Sequence, residues 1–227
     1  MSKTSEAKIT CPKCGKESSF TVWESVNRML DPDAAEAVID GSLFDFQCPN
    51  CGYKTRFYYP MLYHDMENGV MVFFVEKGNL EEGVKHITQF KEMPMPGKHL
   101  LKSVRYRVVD DINDLREKAV IFKSQLDDRV IEIMKLFYFS IYKPRETKGH
   151  EIVKAFFADI DGRKVIQFYS KNAYEGETEF NMNIYGKLEA ALNQGGPVPE
   201  DSKDYIVNLK WAMDHATIED PKKRRKR

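Results

Sequence analysis

Four cysteines carry the clearest chemistry in the chain. They stand as two C-x-x-C pairs, in Cys11-Pro12-Lys13-Cys14-Gly15 and in Cys48-Pro49-Asn50-Cys51-Gly52. A gap of two residues lets one tight turn present both thiolates to a single ion, and two such turns complete a tetrahedral shell of the kind zinc takes in structural sites. The proline fixes φ in each turn, and the glycine after the second cysteine permits positive φ and brings backbone N–H groups toward the sulfurs. Four thiolates on a divalent ion leave a formal charge of minus two, and Lys13, Lys16, Lys54 and Arg56 lie where they could soften it. The donor set is saturated, so zinc held here has no position for water and cannot activate a nucleophile or polarise a substrate. Iron is the alternative metal, because rubredoxin-type domains also use paired CPxCG turns. The 33 residues between Cys14 and Cys48, with a predicted helix among them, favour zinc. A thioredoxin-like redox dithiol fits less well, since two adjacent pairs serve one ion better than two independent dithiols.

No other constellation rises to the same level. His64, His86, His99, His150 and His215 are scattered, and none has a ligand or nucleophile at motif spacing. The doublets Asp110-Asp111 and Asp127-Asp128 read as a helix cap and as part of a solvated helix face rather than as acid and base pairs. Neither a phosphate-cradling glycine loop nor a nucleophile elbow occurs. Tyr53, Phe57, Tyr58, Tyr59 and Tyr63, interleaved with Lys54 and Arg56, could stack nucleic-acid bases, but a small ribbon has few other residues from which to build a core. The expectation is core.

Elements must hold the two turns together. Phe20–Trp23, Phe44–Gln47, Thr55–Tyr59, Val70–Val75 and Leu100–Val109 are rich in aromatic and β-branched residues and read as strands. Asp31 as cap, Pro32 at the first helical position and Gly41 as the stop predict one short helix between the first two. From Asp114 the apolar residues Leu115, Phe122, Leu126, Val130, Ile133, Phe137 and Ile141 recur at helical spacing, with Asp114 and Glu117 as a capping pair and Lys143-Pro144 as the end. This predicts an amphipathic helix of about 28 residues, long enough to bend or break near Asp127-Asp128. Beyond it, Ile152–Asp159 and Lys164–Tyr169 form a predicted hairpin around Asp161-Gly162, followed by helices over Asn181–Asn193 and Ser202–His215.

Composition sets the class. At 227 residues, 42% hydrophobic and 31% charged, the chain can bury a sizeable core. The opening MSKTSEAKIT lacks the apolar stretch of a secretion signal. The longest uncharged apolar run, Leu136 to Tyr142, falls far short of the roughly 20 residues that span a bilayer. A cytoplasmic protein with no transmembrane segment is expected. The net charge is zero, yet the last six residues, Lys222, Lys223, Arg224, Arg225, Lys226 and Arg227, are all basic. Without them 29 basic residues face 35 acidic ones, so any nucleic-acid contact is expected of this tail or of a local patch.

Two CPxC turns about 35 residues apart, the second followed by an aromatic strand, resemble the bacterial and archaeal CpXC domain. The later run VRYRVV…INDLREKAVIF…LDDRVIEIMK is also similar to the segment beyond the knuckles in that family, so the resemblance spans roughly residues 7 to 140. It implies a zinc-ribbon-like domain with these cysteines as ligands and brings no established activity. The expectation is therefore an α+β protein: a zinc-ribbon-like domain over 1–109, a long amphipathic connecting helix and linker over 110–149, a small α+β section over 150–219 and a disordered basic tail over 220–227. Its expected role is that of a non-enzymatic interaction or adaptor protein, bound to an unknown protein or to copies of itself. The alternative is a nucleic-acid-binding or regulatory protein that uses the basic tail and the ribbon edge.

Overall fold

A computed structural model describes residues 2–93, 104–141, 151–171, 173–193 and 204–216. It is an α+β protein, and the described residues gather into two compact units. The first unit runs to Leu126 and is joined by the stretch Asp204–Ile206. It contains β1 (Lys3–Thr10), β2 (Glu17–Asn27), α1 (Pro32–Asp40), β3 (Asp45–Gln47), β4 (Lys54–Arg56), β5 (Met61–Asp65), β6 (Val70–Phe74), α2 (Leu80–Glu92), β7 (Arg105–Val109) and α3 (Ile112–Lys123). The second contains α4 (Asp128–Ile141), β8 (Lys154–Ile160), β9 (Arg163–Tyr169), β10 (Tyr174–Glu179), α5 (Met182–Asn193) and α6 (Leu209–His215).

The main sheet of the first unit has the order β1-β2-β5-β6-β7, with β3 and β4 as a separate two-stranded hairpin. Strand β6 explains the unbroken apolar run VMVFFV, because helices cover both of its faces. Met71, with Tyr106 and Val108 of β7, meets Ile87 of α2, while α1 and α3 pack on the opposite side, where Val70 and Val72 are fully buried. Gly83 lets α2 approach closely: a Cβ at that position would lie 2.3 Å from Val108 Cγ1 and 3.0 Å from Val75 Cγ1. The predicted short helix is present as α1, with Gly41 at φ 86° donating its N–H to the Ala37 carbonyl. Strands β1, β5 and β10 and helix α2 have no counterpart among the elements that the sequence pattern predicts.

The predicted long helix is two helices, α3 and α4. Gln125 adopts a left-handed φ of 57°, its N–H bonds to the Phe122 carbonyl at 2.9 Å, and Leu126 N–H reaches back to Ile121 at 3.1 Å. This is a Schellman stop, sealed by the burial of Leu126 and Ile121. Asp127 then starts the next helix by accepting the Arg129 N–H at 2.9 Å. The break thus falls where the sequence allowed one, near Asp127-Asp128. α3 itself begins earlier than predicted: its cap is Asp111, which accepts from Asn113 N–H, rather than Asp114 and Glu117, and Glu117 is buried.

In the second unit β10-β9-β8 form an antiparallel meander. The predicted Asp161-Gly162 turn joins β8 to β9 with positive φ at both residues, 52° and 84°, as a type I′ turn requires. Phe157 and Phe168 fill the sheet face beneath Phe180 and Phe139. The Tyr138 hydroxyl donates to the Glu179 carbonyl at 3.1 Å and accepts from Asn181 N–H at 3.0 Å. α6 is shorter than predicted and is capped by Asn208, whose side chain accepts from Trp211 N–H. No helix among the described residues is long and apolar enough to cross a membrane. The tail over 220–227 lies outside the described residues.

Substituting Gly83→Ala should lower stability by about 1–3 kcal/mol, the usual cost of overpacking, because a contact of 2.3 Å with Val108 forces a side chain or the helix to shift. Chemical denaturation followed by circular dichroism reads this, and Val108→Ala in the Gly83→Ala background should recover part of the loss.

Candidate metal centre

The two C-x-x-C turns fold in the same way because they carry the same local signals. In the turn between β1 and β2, Gly15 N–H donates to the Cys11 carbonyl at 2.9 Å and Cys11 N–H to the Lys16 carbonyl at 3.0 Å. In the turn between β3 and β4, Gly52 N–H donates to Cys48 at 2.9 Å and Cys48 N–H to Tyr53 at 2.8 Å. Gly15 and Gly52 hold φ of 70° and 69°, and a Cβ on either would meet nothing within 4 Å. Glycine is needed here for its backbone freedom, not for space.

Each hairpin delivers one buried and one more accessible sulfur. Cys11 and Cys48 are buried, Cys51 is half-buried and Cys14 exposed. The four Sγ atoms lie within 4.8 Å of one another, with Cys11–Cys51 at 3.7 Å and Cys14–Cys48 at 3.8 Å. These separations are far beyond a disulfide bond of about 2.05 Å. They match the edge of about 3.8 Å that a tetrahedron of thiolates has around an ion with bonds of about 2.3 Å. The group could hold a metal ion. The sequence placed these four residues together, and the structure brings them together across a separation of 40 positions.

Without an ion the sulfurs divide protons unevenly. Burial pushes the Cys48 thiol up, but backbone N–H groups of Asn50 and Cys51, with the Cys11 and Cys51 thiols, outweigh it and bring it down to about 6. Cys51 receives the Tyr53 N–H, which favours its thiolate, yet burial and the Cys14, Cys48 and Cys11 thiols push it up to about 11. A divalent ion would take the place of the protons that this crowding retains. Of the basic residues expected to soften the charge, Arg56 is committed to Asp45, with Nε 2.6 Å from Oδ1.

Around the sulfurs lies a small aromatic core that the sequence pattern does not single out as part of the site. Cys11, Cys48 and Phe46 are buried together, with Ile9, Phe20, Cys51, Tyr53 and Phe57 packed against them. Phe20 meets Phe46, Phe57 and Tyr59 edge-on at ring separations of 6.0–6.1 Å. Tyr59 accepts the Trp23 N–H on its hydroxyl. A signal was present: Ile9 and Phe46 each precede a cysteine by two positions, so in a strand they share its face. Of the aromatics expected in the core, Tyr63 is fully buried, Tyr53, Phe57 and Tyr59 are half-buried against this cluster, and Tyr58 is 51% exposed.

Of the remaining candidates, Asp127 and Asp128 do not form a solvated face as expected: Asp128 is buried, and Asp127 binds Arg129 at the start of α4. His64 is half-buried, and burial holds its imidazole below the usual range. His86 lies 3.9 Å from Glu82 on α2, and His215 stacks on Trp211. Asp110 accepts the Gly78 N–H at 2.7 Å, and Asp111 pairs with Lys77 at 3.2 Å while capping α3. His99, His150 and the basic run Lys222–Arg227 lie outside the described residues.

Over residues 9–135, more than half of its length, the chain matches the family described as CpXC protein, and it belongs to that family. No curated protein and no solved structure matches it.

Gly15→Ala and Gly52→Ala should each cost about 1–2 kcal/mol, the penalty of forcing a Cβ into the left-handed region. The corresponding Asn variants should cost less, because the space is open and Asn tolerates that φ; thermal melts of the four variants check this.

Proposed function

We propose that this CpXC protein is a non-enzymatic interaction module whose N-terminal ribbon is held by one structural zinc ion on Cys11, Cys14, Cys48 and Cys51. The observation that carries the reading is the sulfur quartet, four donors within 4.8 Å of one another, with two pairs at 3.7 and 3.8 Å, close to the edge of a tetrahedral site. An ion with four thiolates has no open position for substrate or water, so its contribution is to folding. Zinc suits the site better than iron because the 33 residues between Cys14 and Cys48 supply a helix, α1, and two strands, β2 and β3, of a packed domain. The β1–β2 and β3–β4 hairpins, each tipped by a knuckle, support the ribbon description. In this reading the surfaces that the ribbon orders are the functional ones, and the partner is a protein.

A second reading rests on the sequence of the tail. Six consecutive basic residues, Lys222 to Arg227, come after a body with six more acidic than basic groups, and such a segment attracts nucleic-acid phosphates through charge alone.

Replacing any one of the four cysteines by serine should abolish stoichiometric zinc, read by elemental analysis, and lower the melting temperature. Acidification should release the metal, because each thiolate must take back a proton. Full zinc occupancy with an unchanged melting curve in a Cys48→Ser protein would contradict the assignment. For the tail, binding to generic duplex DNA is compared between the full chain and a form ending at Pro221. An electrostatic arm predicts binding lost on truncation, with a log–log salt slope of up to about 5; binding that survives truncation would move recognition to the ribbon.

A further inference from the structure

The two edges of the main sheet are treated differently. On the outer side of β7 lies the stretch Asp204–Ile206: Val108 N–H donates to the Tyr205 carbonyl at 2.8 Å, and Arg107 Nη1 donates to the Asp204 carbonyl at 3.2 Å. The opposite edge, β1, pairs with β2 on one side and with no strand on the other among the described residues. Proteins usually shorten, bend or cover such an edge, since its unpaired N–H and C=O groups are a template for another strand. β1 is eight residues long, against five in each of β5, β6 and β7, and its one irregularity lies at its start, between Lys3 and Thr4. Its residues are exposed apart from half-buried Ala7 and Ile9.

The sequence of β1 fits a second copy of itself. Glu6 accepts the Ser19 and Thr21 hydroxyls of β2, which places Glu6 and Lys8 on one face of the sheet. Ala7 and Ile9 therefore occupy the other face, with Phe20 opposite Ala7 in the register. Two β1 strands set antiparallel about a two-fold axis at Ala7 put Glu6 of each copy opposite Lys8 of the other, Ser5 opposite Ile9, and small Ala7 against itself. A shift of two residues either way puts Glu6 against Glu6 or Lys8 against Lys8. A shift of one turns polar against apolar faces. One register is therefore selected by charge and by face.

We infer that the chain dimerises by antiparallel pairing of its β1 edges, joining two five-stranded sheets into one. This rests on the interaction-module reading and names its partner as a second copy. Backbone hydrogen bonds supply the attraction and the Glu6–Lys8 pairs fix the register.

Sedimentation of the full-length protein over micromolar concentrations should show a reversible monomer–dimer equilibrium. Glu6→Lys and Lys8→Glu each set like charges face to face at two points and should raise the dissociation constant by about tenfold. Mixing the two single variants should restore dimers, and the double variant E6K/K8E should dimerise like the parent, because each again faces opposite charges. A parent that stays monomeric, or a dimer indifferent to these exchanges, would overturn the β1 pairing. Zinc content and melting temperature of the same variants keep the outcomes separate: an unstable, metal-poor protein reports failure of the ribbon reading, whereas a sound ribbon that stays monomeric reports failure of the edge alone.

Discussion

Four sulfurs crowded within 4.8 Å of one another are the constraint on which the two C-x-x-C hairpins depend. As thiolates they repel; as thiols they contribute little beyond weak hydrogen bonds. Against burial, the Asn50 and Cys51 N–H groups and neighbouring thiols bring Cys48 down to about 6, whereas burial and neighbouring thiols, outweighing the Tyr53 N–H, push Cys51 up to about 11; a single divalent ion would bind all four sulfurs as thiolates. The geometry is prepared locally, since the same pair of backbone hydrogen bonds and the same left-handed glycine recur in both turns.

Strand β2 carries this constraint into the rest of the unit. At its start Phe20 lies against Phe46, Phe57 and Tyr59, in the core shared with the cysteines. At its end Ser25, Val26 and Asn27 pair in parallel with β5. A parallel pair needs a crossover, and the one from β2 to β5 contains α1 and the β3–β4 hairpin with the second knuckle. Half of the cysteine quartet is therefore built into the connection between two sheet strands. Loosening the quartet would free the crossover as well as the β1–β2 turn.

The buried and exposed parts of the sheet serve different ends. Around β6 and β7 both faces are covered, Gly83 admits α2 to near contact, and Asp204–Ile206 closes the edge. Toward β1 the helices stop, and polar residues alternate on an open arm. The covered end and the open end of the sheet are thus held by different forces. Apolar packing dominates the first; backbone hydrogen bonding and charge dominate the second.

The sequence by itself determined the two C-x-x-C turns, α1 between Pro32 and Gly41 and the β8–β9 hairpin at Asp161-Gly162, because each rests on a signal confined to a few neighbouring residues, and the repetition of the CPxC turn pointed to the family. It did not reveal β1, whose KTSEAKIT has no strong strand propensity and is ordered by its register with β2. Nor did it reveal α2, whose Gly83 weakens the helical signal for the sake of packing on Val108. The division of the long helical pattern into α3 and α4 turned on Gln125, a residue whose type gives no notice of a positive φ. Only the tertiary structure decided these points, and it also gathered Ile9, Phe20, Phe46 and Phe57 around the sulfurs. The physical reason is the same throughout: turns and caps are local chemistry, whereas strand pairing, helix breaks and core membership are settled by partners distant in the chain.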